Sequence, residues 1–223
     1  MTIPAFLSTL FFLFNDQSFL GMRQPSLDGN LAVHEMSLED RYSNTSVNEV
    51  FKDNILLTTH YMKGDSIDPR RIDWKEVEKP LEYSFILKPG QTFAFHDDVL
   101  PEYKEKVAKT TNAHFNMQEG FKSDGYLAGD GVCHLASLLY WTAKDAALEV
   151  NAPTNHNFAK IPEIPKEFGV AIYNDASKNT INQLQNLYVT NNKLFPILIS
   201  FDYNGKTLKV SAKEDKSTLT YLQ

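Results

Sequence analysis

The feature that most constrains the fold is a pattern of two strands near the C-terminal end of the sequence. Between positions 197 and 203, apolar residues occupy every second position, which is the period of a strand with one buried face. Asn204-Gly205 follows at once and separates this run from a second apolar run at 208–212. Because Asn-Gly between two such runs favours a two-residue hairpin loop, we predict an antiparallel sheet at this end of the chain.

Two earlier stretches have the period of helices. In 46–62, apolar residues recur every three or four positions, and Gly64 closes the segment. A second apolar stripe covers 133–149, begins with the single cysteine and follows Gly129 and Gly131. Helices that precede a closing antiparallel sheet predict an α+β fold. We expect the helix that carries the cysteine to pack on the C-terminal sheet.

Shorter signals fill the rest of the chain. Apolar or β-branched runs predict further strands at 83–87, 91–95, 169–173 and 184–189. The charged segment 101–109 predicts a helix. The polar segment 15–44, which is broken by glycine and proline, predicts an irregular connection.

Composition excludes several classes of protein. With 42% hydrophobic and 22% charged residues in 223, the chain has the composition of an ordinary soluble globular protein. The formal charge is −6 and the basic residues form no block, which argues against a nucleic-acid partner. A lone cysteine, Cys133, forms no internal disulfide. Without an H-x-x-x-H or C-x-x-C motif, we expect neither a metal nor a cofactor.

The apolar run at 3–14 allows two interpretations. It is shorter than the ~20 residues that a membrane helix needs. It is similar to the core of an export signal, but no basic residue precedes it and no A-x-A site follows. A degenerate or truncated signal and a buried helix both stay open. We expect membrane contact through this run alone, if there is any.

Cys133 is the strongest candidate for chemistry. It follows Gly129-Asp130-Gly131-Val132 at the start of the predicted helix, where the helix dipole favours a thiolate. Asp130, as the expected N-cap, opposes that shift with its negative charge. The alternative is a buried structural cysteine, since free cysteines are among the most buried residues.

A nucleophilic cysteine needs a base, and His156 follows the predicted helix. Cysteine, then histidine, then a carboxylate or amide is the order in papain-like and transglutaminase-like enzymes, so we include such a core as a fold hypothesis. Glu167 and Asp175 are the candidates for the third group. Neighbouring helix residues point about 100° apart, so His134 is expected beside the site or on the surface rather than as the base.

Several motifs resemble the VanW-like proteins. The stretch from Gly129 to Tyr140, GDGVCHLASLLY, is similar to the family's G-G-G-V-C-Q-x-S-T-x-L-Y motif. Asn155-His156-Asn157 falls where the family has its H-S pair. The segments 54–64, 87–95 and 184–210 resemble further family segments, so the resemblance covers 46–210.

The departures from the family pattern are specific. His134 stands where the family has glutamine, Pro153 replaces an arginine that precedes the histidine, and Phe168 replaces an aspartate. Cys133 and His156 are retained. The losses leave Glu167 or Asp175 to orient the histidine and remove an anion contact.

The resemblance implies an envelope-associated bacterial protein, linked by the family's name to accessory roles in glycopeptide resistance. We divide the chain into an apolar run with an irregular connection, 1–45, and a VanW-like domain, 46–223. We expect a location in the cell envelope or outside the cell. A cytoplasmic location stays open, because the export signal is weak.

Two functions fit the sequence. The substitutions favour a non-catalytic accessory module that binds peptidoglycan, its precursors or another wall component. The alternative is a cysteine-dependent hydrolase or acyltransferase of cell-wall amide bonds, in which Cys133 attacks and His156 takes and returns the proton. We predict ligand contacts at Gly129, Gly131, His134, Ser137 and Asn157.

Overall fold

The computed structural model describes residues 29–125, 129–175, 177 and 179–216, so the predicted apolar run at 3–14 lies outside the described residues. The fold is mixed α+β, which confirms the predicted class. The elements in chain order are β1 (Asn30–Ser37), α1 (Thr45–Lys63), α2 (Trp74–Val77), β2 (Leu81–Leu87), β3 (Thr92–Ala94), β4 (Val107–Lys109), α3 (Val132–Asp145), β5 (Glu149–Asn151), α4 (Asn179–Leu184), β6 (Tyr188–Thr190), β7 (Ile197–Tyr203) and β8 (Thr207–Glu214). Short 3₁₀ turns occupy Pro101–Tyr103, Met117–Glu119 and Lys166–Phe168.

The larger sheet has the strand order β1-β8-β7-β2 and is antiparallel throughout. Alternate residues of β7 are buried, as the predicted period requires. The hairpin between β7 and β8 forms, but its loop lies one residue later than predicted. Asn204 N–H donates to the carbonyl of Thr207 at 3.2 Å, so Gly205 and Lys206 form the loop. Gly205 has a φ of +100°, which favours glycine there.

The smaller sheet has the strand order β4-β3-β6-β5. Its β3 and β4 pair in parallel, and the other two pairs are antiparallel. The predicted helix at 101–109 is therefore wrong: Pro101–Tyr103 makes one 3₁₀ turn, and the chain then extends into β4. The strand predicted at 184–189 begins only at Tyr188, because α4 continues to Leu184.

The predicted irregular connection at 15–44 contains a strand. Within it, β1 pairs with β8 along Asn30–Ser37, with an irregular register between Asn30 and Ala32. Tertiary pairing thus overrides a local pattern that is polar and lacks clean alternation. The larger sheet gains its edge strand from a part of the chain that we assigned to the connection.

The two long helices, α1 and α3, pack together beside the larger sheet. In α1, the side chain of Asn44 accepts a hydrogen bond from Ser46 N–H at the start, and Gly64 ends the helix with a φ of +88°. The Cys133 helix, α3, contacts β1 and β8 on one side and α1 on another. This packing fixes the first turn of α3.

The segment that follows β5 approaches the same turn. We predicted a strand at 169–173, but the structure has a single antiparallel bridge there, between Asn155 and Val170. His156 N–H donates to Gly169 at 3.1 Å, and Ala171 N–H donates to Thr154 at 3.0 Å. These bonds hold His156 and the 169–173 segment together next to the start of α3.

Candidate functional site

The glycine loop before α3 has a shape that side chains would disrupt. Gly129 and Gly131 have φ values of +86° and +94°. A Cβ on Gly129 would lie 2.9 Å from Cβ of Phe115, and a Cβ on Gly131 would lie 2.8 Å from the carbonyl oxygen of Phe51. Both positions therefore require glycine for two reasons, the left-handed backbone and the close approach of a neighbouring chain segment.

The N-cap of α3 differs from the one we expected. Gly131 occupies the cap, and no side chain caps the helix. The Asp130 carboxylate accepts instead from the N–H of Asp124 at 2.9 Å. Burial raises the pKa of Asp130 to about 6, and the charge of Asp124 acts in the same direction.

A buried asparagine of α1 fastens this loop, and sequence reasoning missed it. Asn54 is 0% exposed. Its Nδ2 donates to the carbonyls of Asp130 at 2.8 Å and Lys122 at 3.0 Å, and its Oδ1 accepts from Lys122 N–H at 2.8 Å. The available signal was a polar residue on the apolar stripe of α1, within the segment that resembles the family.

A pocket of about 590 Å³ opens at the first turn of α3. Aromatic rings contribute much of its lining: Tyr42, Phe51, Phe115, Phe158 and Tyr173. Cys133, His134 and His156 line it as well, together with Gly129 and Gly131. The structure thus brings the predicted cysteine, both histidines and both glycines to one cavity.

The thiol of Cys133 makes its hydrogen bonds with the backbone rather than with a histidine. It donates to the carbonyl of Ile172 at 3.6 Å and accepts from Ile172 N–H at 3.3 Å. Burial raises the pKa of the Cys133 thiol to about 11, and the charge of Asp130 raises it further. The expectation that the helix dipole would favour a thiolate is wrong for this site, because desolvation outweighs it.

His156 is buried and lines the same pocket, but its contacts are with groups other than the thiol. Its Nδ1 donates to the carbonyl of Ala159 at 3.2 Å, and its ring lies 3.9 Å from the ring of Phe158. Burial lowers the pKa of His156. Within the described part of the chain, no hydrogen bond connects it to Cys133.

The two candidates for a third catalytic group make other contacts. Glu167 is exposed on a 3₁₀ turn. The Asp175 carboxylate accepts from Ser177 at 2.7 Å and from the hydroxyl of Tyr173 at 3.3 Å. Phe168, at the position of the family aspartate, stacks on Trp141 at 5.5 Å. The position that would carry an acid in the family packs here against an aromatic ring of α3.

His134 lines the pocket, although its helix position suggested the margin or the surface. It is 4% exposed. Its Nδ1 lies 2.8 Å from Nη1 of Arg41, which also donates from Nη2 to the carbonyl of Pro162 at 3.0 Å. Since a guanidinium only donates, His134 Nδ1 accepts and the ring proton sits on Nε2. Burial lowers the pKa of His134 well below its usual range, and the charge of Arg41 contributes.

The other two predicted ligand contacts lie apart from this pocket lining. Ser137 is 0% exposed, donates to the carbonyl of Cys133 at 2.7 Å and accepts from Val170 N–H at 2.9 Å. It therefore ties α3 to the 169–173 segment. Asn157 is exposed and lines a neighbouring cavity of about 410 Å³, to which His156 and Phe158 also contribute.

A comparison with protein families now adds to this geometry. A family model described as VanW like protein matches residues 82–212, more than half of the chain. The chain belongs to the VanW-like protein family. Comparisons with curated proteins and with solved structures find no match.

The VanW-like match covers only part of the pocket. Cys133, His134 and His156 fall inside the matched residues. Tyr42 and Phe51 line the pocket from outside the match, as Arg41 supports His134 from outside it. In this VanW-like protein, α1 and the loop before it thus complete a site whose thiol and imidazoles come from the matched region.

Two further observations concern metals and membranes. The described residues contain no group of three or more histidine, cysteine, aspartate or glutamate side chains that could hold a metal ion. Within those same residues, no helix has the length and apolar character needed to cross a membrane.

Proposed function

We propose that this VanW-like protein is a non-catalytic accessory module of the bacterial cell envelope that binds a peptidoglycan fragment in the pocket at the start of α3. The observation that carries the proposal is the state of Cys133. Its thiol exchanges hydrogen bonds with the backbone of Ile172, while a ligand-sized cavity opens beside it.

The thiol is a poor nucleophile in this setting. Burial, which raises the pKa of this thiol to about 11, keeps it protonated at pH 7. An adjacent base could compensate. Nδ1 of His156 donates to Ala159, so Nε2 is the ring nitrogen that could accept a proton, but among the described residues no hydrogen bond joins His156 to Cys133. A catalytic pair needs the base within hydrogen-bond reach of the proton that it removes. The geometry therefore gives little support to acyl transfer by Cys133.

The pocket is better suited to binding. Its volume of about 590 Å³ falls in the usual range for small-molecule sites. Aromatic rings offer flat apolar faces to sugar rings and peptide side chains. The buried Nδ2 of Asn174, which lines it, has no hydrogen-bond partner among the described residues, and Nε2 of His134 makes no hydrogen bond among them either. Such unpaired donors favour a ligand that brings acceptor oxygens.

The alternative, a Cys-His hydrolase or acyltransferase of wall amide bonds, rests on one observation. Cys133 and His156 line the same cavity. Catalysis would require Nε2 of His156 to reach the thiol and would require the thiol to give up its hydrogen bonds to Ile172. The experiment must therefore detect cleavage as well as binding.

The test is calorimetric titration of the purified chain with a soluble disaccharide-pentapeptide, followed by mass spectrometry of the fragment. We expect saturable binding and an unchanged fragment mass. Cys133→Ser should keep the affinity within about twofold, because it touches no proposed ligand contact. Phe158→Ala removes a 79% exposed ring from the pocket rim and should weaken binding about five- to tenfold. Leu194→Ala, which changes an exposed side chain elsewhere, is the matched control.

Two results would contradict the proposal. Absence of binding would contradict a role in binding peptidoglycan fragments. Cleavage that disappears in Cys133→Ser would establish the hydrolase instead.

A further inference from the structure

His134 offers the pocket a hydrogen-bond donor whose position in the ring is fixed by a neighbouring residue. Arg41 donates a hydrogen bond to Nδ1 of His134, so the ring proton is on Nε2. The imidazole therefore has an N–H group on the edge opposite Arg41. Among the described residues this Nε2 has no hydrogen-bond partner, and the side chain lines the cavity. A donor without a protein partner at the wall of a cavity can bond an acceptor that a ligand brings.

Arg41 is a partly buried cation without an ion pair in the described residues. Its hydrogen bonds go to His134 and to the carbonyl of Pro162, and its Nε is buried without a partner. Glu163 attracts it through space, but the Glu163 carboxylate accepts its own hydrogen bond from Ser37 N–H at 2.7 Å. A buried charge is normally paired, so this guanidinium is undercompensated.

The surroundings of His134 strengthen any charge interaction. The ring of Phe51 lies 5.0 Å from the imidazole in an edge-on arrangement, and the ring of Tyr42 lies 6.3 Å away. Aromatic walls keep water out and lower the local dielectric, so the charge of Arg41 acts over a longer range than at the surface.

We propose that His134 and Arg41 form a carboxylate-recognition site, in which one ligand oxygen accepts from Nε2–H of His134 and Arg41 supplies the compensating positive charge through the imidazole. The inference deepens the proposed function and rests on the same pocket. His134 is the contact residue and Arg41 is a positioning residue, because it does not line the cavity.

The charge arrangement selects among ligand classes. Asp124 and Asp130 also line the pocket, and the charge of Asp130 acts on Cys133, whereas the charge of Arg41 acts on His134. A cation bound at His134 would therefore be repelled by Arg41. A neutral carbonyl would satisfy His134 but would leave the guanidinium uncompensated. A carboxylate satisfies both, since hydrogen bonds to charged groups are about twice as strong as neutral ones.

The test uses small acids and their neutral amides as probes. Two acids, N-acetyl-D-alanine and N-acetylmuramic acid, represent a peptide and a sugar source of the carboxylate, and each is compared with its primary amide. Binding is followed by ¹⁵N NMR of histidine-labelled protein. We expect a saturable shift at Nε2 of His134 with the acid of one source or both, and about tenfold weaker binding of the matching amide.

Variants at Arg41 separate charge from hydrogen bonding. Arg41→Gln can still donate to Nδ1 of His134, so the ring should keep its Nε2–H tautomer while acid affinity falls about tenfold and amide affinity stays unchanged. Arg41→Lys keeps the charge and should restore most of the acid preference. Arg70→Gln removes an exposed arginine and is the control.

The proposal is overturned if neither acid binds, if acid and amide bind equally, or if the acid shifts other residues but not His134. Its failure is distinguishable from that of the proposed function. Binding of the disaccharide-pentapeptide without an acid preference would contradict the carboxylate site alone. An acid preference without binding of that fragment would contradict the wall ligand alone.

Discussion

Two adjacent residues of α3 each bring a polar group to the pocket, but they differ in how many hydrogen-bond partners the protein supplies. Cys133 exchanges two hydrogen bonds with Ile172, so its thiol is satisfied by the protein itself. His134 has a protein partner on Nδ1 and none among the described residues on Nε2, and its side chain lines the cavity. Consecutive helix residues point about 100° apart, which allows the two side chains such different surroundings.

The difference teaches where to look for the ligand. A polar group with a full set of partners gains little from a new contact, whereas a buried donor without one gains a hydrogen bond when a ligand binds. The residue type that attracts notice in the sequence, the single cysteine, is therefore the less promising of the two. We expect ligand affinity to depend on the imidazole of His134 and to be unaffected by substitution of the Cys133 thiol.

The largest effect should come from the loop that holds both residues in place. Gly131→Ala adds a Cβ that would lie 2.8 Å from the carbonyl oxygen of Phe51, at a φ of +94°. We expect a loss of about 3 kcal/mol in the free energy of unfolding, measured by urea denaturation. Gly64→Ala is the matched control, because its φ is +88° and a Cβ there meets nothing within 4 Å. It should cost about 1 kcal/mol. Equal costs would contradict the close-approach argument.

A smaller effect should appear in acid. His134 has a lowered pKa in the folded protein, so the unfolded chain takes up a proton that the folded chain refuses. The stability that this contributes is present above the unfolded pKa of ~6.5 and is lost as the pH falls below it. Wild type should lose up to about 1.4 kcal/mol per pH unit more than His134→Gln between pH 6.5 and 5.

The comparison with His134→Gln isolates one residue. His156 also has a lowered pKa and titrates in the same direction, but it is present in both proteins. Glutamine can still accept from Arg41. Parallel stability curves for the two proteins would show that His134 protonates freely in the folded state. The contrast drawn between Cys133 and His134 would then fail.

The smallest effect concerns the thiol as a structural group. Cys133→Ala leaves Ile172 without its hydrogen-bond partner and should cost about 1 kcal/mol of unfolding free energy. A serine hydroxyl can replace both bonds, so Cys133→Ser should lie within about 0.5 kcal/mol of wild type. Thermal denaturation measures both. A serine variant as unstable as the alanine variant would argue against the Ile172 contact.

Part of this account could be predicted from the sequence. The helix α1 was predictable because its apolar stripe ends at Gly64, and the hairpin because alternation flanks Asn204-Gly205. These signals are local. The edge strand β1 was not predictable, since its pairing with β8 joins residues far apart in the chain and its own pattern is irregular.

The site shows the same division. The glycine-cysteine motif predicted the position of the pocket, and His156 does lie in it. Neither the Ile172 contact nor the Arg41 partner of His134 could be read from the sequence, because they join residues 39 and 93 positions apart. The thiol's chemistry depends on that contact and on burial, so a motif alone could not decide its ionisation state.

The pH dependence of iodoacetamide modification at Cys133 tests the central claim most directly. The account predicts a rate that keeps rising to an apparent pKa near 11 and a profile that is unchanged in His156→Ala. Modification is measured on the folded chain by mass spectrometry, with an unfolded sample as the reference for a pKa of ~8.5. An apparent pKa below 8.5 in the folded chain, raised by His156→Ala, would contradict the account and establish an active Cys-His pair.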